Sequence, residues 1–153
     1  DKRHLFSMGG ESNVFTAGNG AAPVVRFRGW NIKFIICYDL RFPVFCRNQR
    51  NEYDVLIVVA NWPEARQKAW LRLLSARAIE NCCYVCGVNR RGVDAQGNSY
   101  GAGSSVIIDY KGDILAQTSQ SASICAAALS KGKLDNFRGK FPVWNDADDF
   151  IIK

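Results

Sequence analysis

The stretch Ile32-Lys33-Phe34-Ile35-Ile36-Cys37-Tyr38-Asp39-Leu40-Arg41-Phe42-Pro43 decides the fold. An apolar, β-branched run stops at a cysteine and turns at once into a polar loop. That places a thiol at the carboxyl edge of a sheet, where reactive groups collect in α/β proteins. A buried strand cysteine without a role is the competing reading, because free cysteine packs as a small hydrophobe.

Working outward, Val24–Phe27 and residues 32–37 read as two strands around a turn at Arg28-Gly29. Pro43 suits a first helical turn, and a short helix is expected through Asn51. Tyr53 to Ala60 is a near-continuous apolar run, the mark of a strand covered on both faces. Asn61-Trp62-Pro63 ends it. From about Arg66 to Asn81 the apolar residues Ala69, Trp70, Leu73, Leu74, Ala76 and Ile79 recur at helical spacing. Tyr84 to Val88 is a further strand. Strand, helix, strand, helix, strand argues for parallel strands with crossover helices.

Beyond a Gly-rich loop at Gly97–Gly103 the pattern changes. Ser104–Asp109 and Ile114–Thr118 flank a hairpin-type turn, Tyr110-Lys111-Gly112-Asp113. Ser123–Leu129 is expected to be one more strand, Lys131–Phe137 a helical turn, and Phe141–Lys153 a tail.

The chain has 153 residues, 48% hydrophobic and 22% charged, which suits one globular α/β domain with a real core. The net charge of +6 is scattered, with no basic stripe interleaved with aromatics, so no nucleic-acid partner is expected. No apolar stretch approaches membrane-spanning length, so no membrane partner is expected either. Six cysteines in mostly apolar surroundings fit free thiols in a reducing cytoplasm. Cys83 and Cys86 have C-x-x-C spacing but lie in a strand-like run, and His4 is the only histidine, so no metal site is expected. Cys46, Cys82, Cys83, Cys86 and Cys125 read as core residues.

A cysteine nucleophile needs a base or a cation to supply thiolate. With one histidine, lysine and glutamate are the candidates. Here the sequence resembles the nitrilase, or carbon–nitrogen hydrolase, superfamily. The resemblance is carried in order by Lys2-Arg3-His4-Leu5-Phe6, Glu11-Ser12, residues 37–43, Asn61-Trp62-Pro63, residues 76–81 and Gly101-Ala102-Gly103-Ser104-Ser105. Within that superfamily it is most similar to the ω-amidase branch, whose members act on 2-oxoglutaramate and related monoamides of dicarboxylic acids.

The resemblance implies a Glu-Lys-Cys triad without a cofactor. Cys37 matches the nucleophile. Lys2 matches the lysine that stabilises the tetrahedral intermediate, and the Tyr38 backbone N–H completes the oxyanion hole. A cation beside Cys37 would also favour thiolate. Glu11 matches a second glutamate that orients the lysine or the substrate; alone it would read as a loop cap. The family's base glutamate lies upstream of the lysine motif, and only Asp1 precedes Lys2. The expectation is therefore the carboxyl-terminal half of a four-layer α-β-β-α sandwich, its amino-terminal half missing, truncated or partly given and inactive by itself. Half a layered sandwich would expose an apolar sheet face.

Several assignments stay open. Arg41 reads as a structural ion-pair partner or as a fork for a substrate carboxylate. Asn61 and Trp62 read as pocket wall or as packing. Asn89, Arg90 and Arg91 could line a pocket or an interface. Arg77 and Glu80, at i and i+3, read as a local pair. The expected function is hydrolysis of a small ω-amide through a cysteine thioester. A nitrilase or an N-carbamoyl hydrolase with the same triad is one alternative; a catalytically silent binding or assembly module is the other. The resemblance also suggests a homodimer with Phe141–Phe150 near its interface, and the aromatic content of that segment is compatible with this.

Overall fold

The computed structural model describes residues 1–152. Its centre is a six-stranded sheet in which two hairpins flank a parallel middle. Strand β1 (Val24–Phe27) pairs antiparallel with β2 (Trp30–Ile36) through Arg28 and Gly29, which take φ of 47° and 82°. Two consecutive left-handed residues give the backbone twist that a two-residue hairpin needs.

Strands β2, β3 (Val55–Ala60) and β4 (Tyr84–Asn89) run parallel, as the alternating pattern predicts. Their register sets Ile36 beside Val59 and Val59 beside Val88. The three strands therefore end together, and Cys37, Asn61 and Arg90 leave the sheet at one edge. β4 then pairs antiparallel with β7 (Val106–Ile108), which pairs with β8 (Ile114–Gln117). In the expected hairpin turn Gly112 takes φ of 94°, and the Asp109 carboxylate accepts the Lys111 and Asp113 N–H groups at 2.8 and 3.0 Å.

Several elements differ from the sequence expectation. Helix α1 stops at Cys46 (Pro43–Cys46) instead of reaching Asn51. Buried Asn48 redirects the chain: its amide donates to the Tyr53 carbonyl at 2.8 Å, and its N–H donates to the Asn81 side chain at 2.9 Å. Side-chain bonding of this kind competes with helix continuation. The Gly-rich loop supplies β6 (Ser99–Tyr100), which pairs with β5 (Gly92–Val93) just before the loop to form a small ribbon. Asp94 closes it by accepting the Gln96 and Asn98 N–H groups at 3.0 and 2.8 Å. Residues 123–129 form no strand and pair with neither end of the sheet, and Ile124 is exposed.

Helix α2 (Gln67–Asn81) lies where its periodicity places it and buries Trp70, Leu74, Arg77, Ala78 and Asn81. Gly87 in β4 lets it approach: a Cβ there would stand 2.3 Å from Leu74 Cδ1 and 3.0 Å from Trp70 Cζ2. This face of the sheet, with Ile35, Leu56, Val58 and Val85, is the main core.

The opposite face is covered at one end by α3 (Lys131–Lys140), longer than the expected helical turn, through Leu134 on Val55 and Tyr84. Buried Asp54 anchors that helix, accepting from Arg138 at 2.9 Å and Lys131 at 2.8 Å. Toward the carboxyl ends of the strands the same face leaves Phe34, Val59 and Val88 between 40% and 49% exposed. The expected tail contains a short turn at Val143–Asp146; its last residue, Lys153, lies outside the described residues. No helix among the described residues is long and apolar enough to cross a membrane.

Candidate active site

Cys37 is the first residue past β2 and takes φ of 49°. A left-handed cysteine is a strained conformation, of order 1–3 kcal/mol, that surrounding structure must hold. It opens a tight 3₁₀ turn, Cys37–Arg41, whose buried residues are Asp39 and Leu40. The turn is held from two sides. Arg77 of α2 donates to the Leu40 carbonyl at 2.7 Å, and the Asp39 carboxylate accepts the Ile36 N–H at 3.0 Å. The expected local pair also exists, Arg77 Nη1 donating to Glu80 at 2.9 Å.

The amino-terminal segment brings Lys2 and Glu11 to this turn. Their side chains form an ion pair, and the same Glu11 oxygen accepts the Phe6 N–H at 2.7 Å. Burial raises the Glu11 carboxyl, but the Lys2 hydrogen bond, the Phe6 N–H and the Lys2 charge outweigh it, so its pKa falls below the ordinary glutamate value. Glu11 thus stays ionised and poorly basic.

A cavity of about 910 Å³ opens over the carboxyl edge of the sheet. Its walls include Lys2, Glu11, Cys37, Tyr38, Arg41, Asn61 and Trp62, so these seven candidate site residues meet in one place; Asn89 and Arg90 also line it, and Arg91 does not. Cys37 Sγ lies 4.0 Å from the Asn61 carbonyl, and its thiol also feels backbone hydrogen bonding at Tyr38. Burial pushes the Cys37 pKa up and outweighs the opposing pull of Lys2. The expectation that Lys2 favours thiolate is right in sign, but desolvation exceeds it, so the resting sulfur is a thiol.

Trp62 is both wall and core: it is 4% exposed, and Asn89 brackets its backbone, accepting the Trp62 N–H at 2.7 Å and donating to its carbonyl at 2.8 Å. Asn61 presents its carbonyl to the sulfur. Arg41 makes no ion pair among the described residues; its guanidinium rests 5.1 Å above the Trp62 ring. Arg66 over Phe6, at 5.2 Å, and Arg90 over Tyr100, at 4.8 Å, repeat the arrangement on the same cavity. Arg66 was not legible as a site residue in the sequence, since an arginine beside a helix start usually reads as solvated surface.

His4 and Asp39 were missed as well. The His4 N–H and its Nδ1 both lie 2.9 Å from Asp39 Oδ1. The signal available was slight: each stands two residues after a candidate, Lys2 or Cys37. The remaining cysteines are free thiols, Cys46, Cys82 and Cys83 buried and Cys86 and Cys125 partly so. Burial raises Cys86 to about 11, which makes it a poor nucleophile. Among the described residues no three His, Cys, Asp or Glu side chains assemble as a metal site.

Comparison with known proteins identifies the family. The family described as carbon-nitrogen hydrolase matches residues 1–138. The omega-amidase YafV of Yersinia enterocolitica is 50% identical over 153 residues, which are 99% of this chain and 59% of that protein. The 2-oxoglutaramate amidase of Bacillus subtilis is 35% identical, with 95% of this chain and 55% of that protein covered. Thus the chain spans somewhat over half the length of these curated relatives. Among solved structures, XC1258 from Xanthomonas campestris, a CN-hydrolase superfamily protein with an arsenic adduct in its active site, superposes with a TM-score of 0.94. It is 42% identical, with 100% of this chain and 60% of that one covered. With an α/β fold of this type and a family match along most of its length, the chain belongs to the carbon–nitrogen hydrolase family.

Proposed function

We propose that the protein is an amidase that hydrolyses the carbon–nitrogen bond of a small amide bearing a carboxylate at its far end, such as 2-oxoglutaramate. The observation that carries this reading is the meeting of Cys37, the Tyr38 amide and the Lys2–Glu11 pair on one cavity.

Cys37 sulfur attacks the amide carbonyl, and the carbonyl oxygen becomes an oxyanion between the Lys2 ammonium and the Tyr38 N–H. One such preorganised donor is worth about 10²–10³ in rate. Ammonia leaves with a proton, a thioester forms, and water hydrolyses it to the carboxylic acid. Glu11 is a poor proton acceptor because Lys2 holds it ionised. We assign the proton transfers to a further glutamate, the base that the family resemblance implies. The four-layer arrangement would bring a second sheet over the exposed Phe34, Val59 and Val88.

The substrate's remote carboxylate is assigned to Arg41, Arg66 and Arg90. Each lines the cavity with its guanidinium propped on an aromatic ring, and a guanidinium fork suits a carboxylate. The names of the amidase relatives point the same way. A nitrilase or N-carbamoyl hydrolase would use the same nucleophile. A homodimer is part of the proposal, supported by Phe141 and Trp144, which are 59% and 41% exposed.

The test is ammonia release by the purified full-length protein from 2-oxoglutaramate, from the matching nitrile and from the matching N-carbamoyl compound. Turnover of the amide alone, lost in Cys37→Ala, is the expected result. Turnover of the nitrile or carbamoyl compound instead would replace the substrate assignment. Silence on all three would turn the reading toward a binding module.

A further inference from the structure

Residues 1–23 carry Lys2 and Glu11, yet they contribute no strand to the sheet. Arg3 aside, among the described residues the hydrogen bonds that tie this segment's side chains and backbone to the rest of the chain end on one atom, Asp39 Oδ1. The other oxygen of that carboxylate takes the Ile36 N–H at 3.0 Å, one residue before the nucleophile. Asp39 is fully buried, at 0% exposure, so its carboxylate is satisfied by these donors and not by bulk water.

We propose that Asp39 and His4 form a positioning clamp, which sets where the Lys2 ammonium stands relative to the Cys37 sulfur. The inference rests on the amidase reading for its catalytic consequence, and on geometry alone for the clamp.

Three features make the clamp rigid. His4 stacks on Phe42 with centroids 3.8 Å apart and planes 10° from parallel, and it meets the edge of Phe45 at 5.1 Å. Phe42 donates its N–H to the Asp39 carbonyl at 3.0 Å, so the stacking partner belongs to the same turn. A carboxylate only accepts, which fixes the His4 ring proton on Nδ1. Lys2 lies two residues from this anchor and is held on its other side by Glu11. Glu11 also takes the Phe6 N–H, so the stretch from Lys2 to Phe6 is stapled by two carboxylates, Glu11 from its own segment and Asp39, through His4, from the nucleophile turn.

The chemical reason to spend a buried carboxylate here is distance control. An oxyanion donor displaced by about 1 Å loses on the order of 10²-fold in rate, while ground-state binding changes little. The same displacement weakens the pull of Lys2 on the Cys37 thiol, which acts against burial in this site.

The variants are His4→Leu, which removes the ring donor, and His4→Asn, whose amide nitrogen lies where the imidazole Nδ1 did. Asp39→Asn is a third variant, informative if it folds. Each is measured in the full protein for kcat and KM on 2-oxoglutaramate, for the rate of Cys37 alkylation by iodoacetamide at fixed pH, and for its melting temperature. The expected result for His4→Leu is a fall in kcat of at least about tenfold with KM nearly unchanged, slower alkylation, and recovery of both in His4→Asn. Equal behaviour of the Leu and Asn variants overturns the clamp, as does a loss confined to KM or one that tracks the folded fraction. If the wild-type protein turns over no amide, the amidase reading fails, and the alkylation rates of the two His4 variants still decide the clamp.

Discussion

Arg77, in the middle of α2, donates to the Leu40 carbonyl at 2.7 Å inside the turn that carries Cys37. The helix that seals the main core therefore also fixes the backbone of the nucleophile. At 4% exposure the guanidinium is desolvated, and removing it strands a buried carbonyl. Arg77→Met is expected to cost about 1–3 kcal/mol, the price of an unsatisfied buried group. Urea denaturation measures it; a midpoint unchanged from wild type would show that Leu40 finds another donor.

Cys37 supplies a pH prediction. Its pKa lies above the ordinary thiol value because burial disfavours thiolate. Alkylation by iodoacetamide should accelerate with rising pH, with a midpoint above that of a free cysteine. Lys2→Met removes a cation that opposes the shift, so its midpoint should move higher still. A midpoint below the free-cysteine value would contradict the balance of burial over charge described for this site.

Arg41 is the most direct test of carboxylate recognition. Arg41→Gln keeps a hydrogen-bonding side chain but removes the charge that rests on Trp62. The expected change is a rise in KM of about tenfold or more for 2-oxoglutaramate, from loss of a charge-assisted contact. A neutral amide of the same length should be unaffected. Parallel kinetics on both substrates distinguish this from a general disturbance of the pocket.

Asp54 governs acid stability. Burial would raise its carboxyl, but the Asn31 N–H and the charges of Lys131 and Arg138 hold its pKa below the ordinary aspartate value. A group with a lowered folded-state pKa stabilises above its unfolded value, and that contribution is lost as pH falls through the folded one. Asp54→Asn should therefore destabilise the protein by about 3 kcal/mol near neutrality, by leaving Arg138 partly uncompensated. The gap from wild type should shrink below about pH 4, where the unfolded aspartate protonates. Thermal melts across that range follow both.

Gly87 sets the spacing of helix and sheet. A methyl group there would meet Leu74 and Trp70, both fully buried. Gly87→Ala is expected to cost about 1–3 kcal/mol through overpacking, with the Cys37 alkylation profile retained. Chemical denaturation gives the first value and thiol titration the second.

Much of this molecule is written locally. The apolar runs 32–37, 53–60 and 84–88 specify strands, although the cover expected on both faces of 53–60 fails at exposed Val59; of the residues expected on the apolar face of α2, Trp70 and Leu74 are buried while Ile79 is exposed. Turn residues at Arg28-Gly29 and Lys111-Gly112 mark the hairpins. By contrast, the end of α1 depends on Asn48 reaching Asn81, 33 positions away. The absence of a strand at 123–129 is equally invisible locally, since that apolar run pairs with neither end of the sheet.

The candidate site divides in the same way. Sequence alone placed Cys37 at a strand end, because a strand boundary is a property of neighbouring residues; that Lys2 and Glu11 belong with it is what the family resemblance implies. Only the tertiary structure decided what holds them there. His4 meets Asp39 across 35 positions, Arg77 meets Leu40 across 37, and Arg66 and Arg90 join Arg41 on one cavity. Such pairings follow from the parallel register that ends three strands together and from the packing of α2 on β4. The balance at Cys37 is likewise tertiary: the sequence names the cation, but burial, which no local pattern reports, sets the thiol against it.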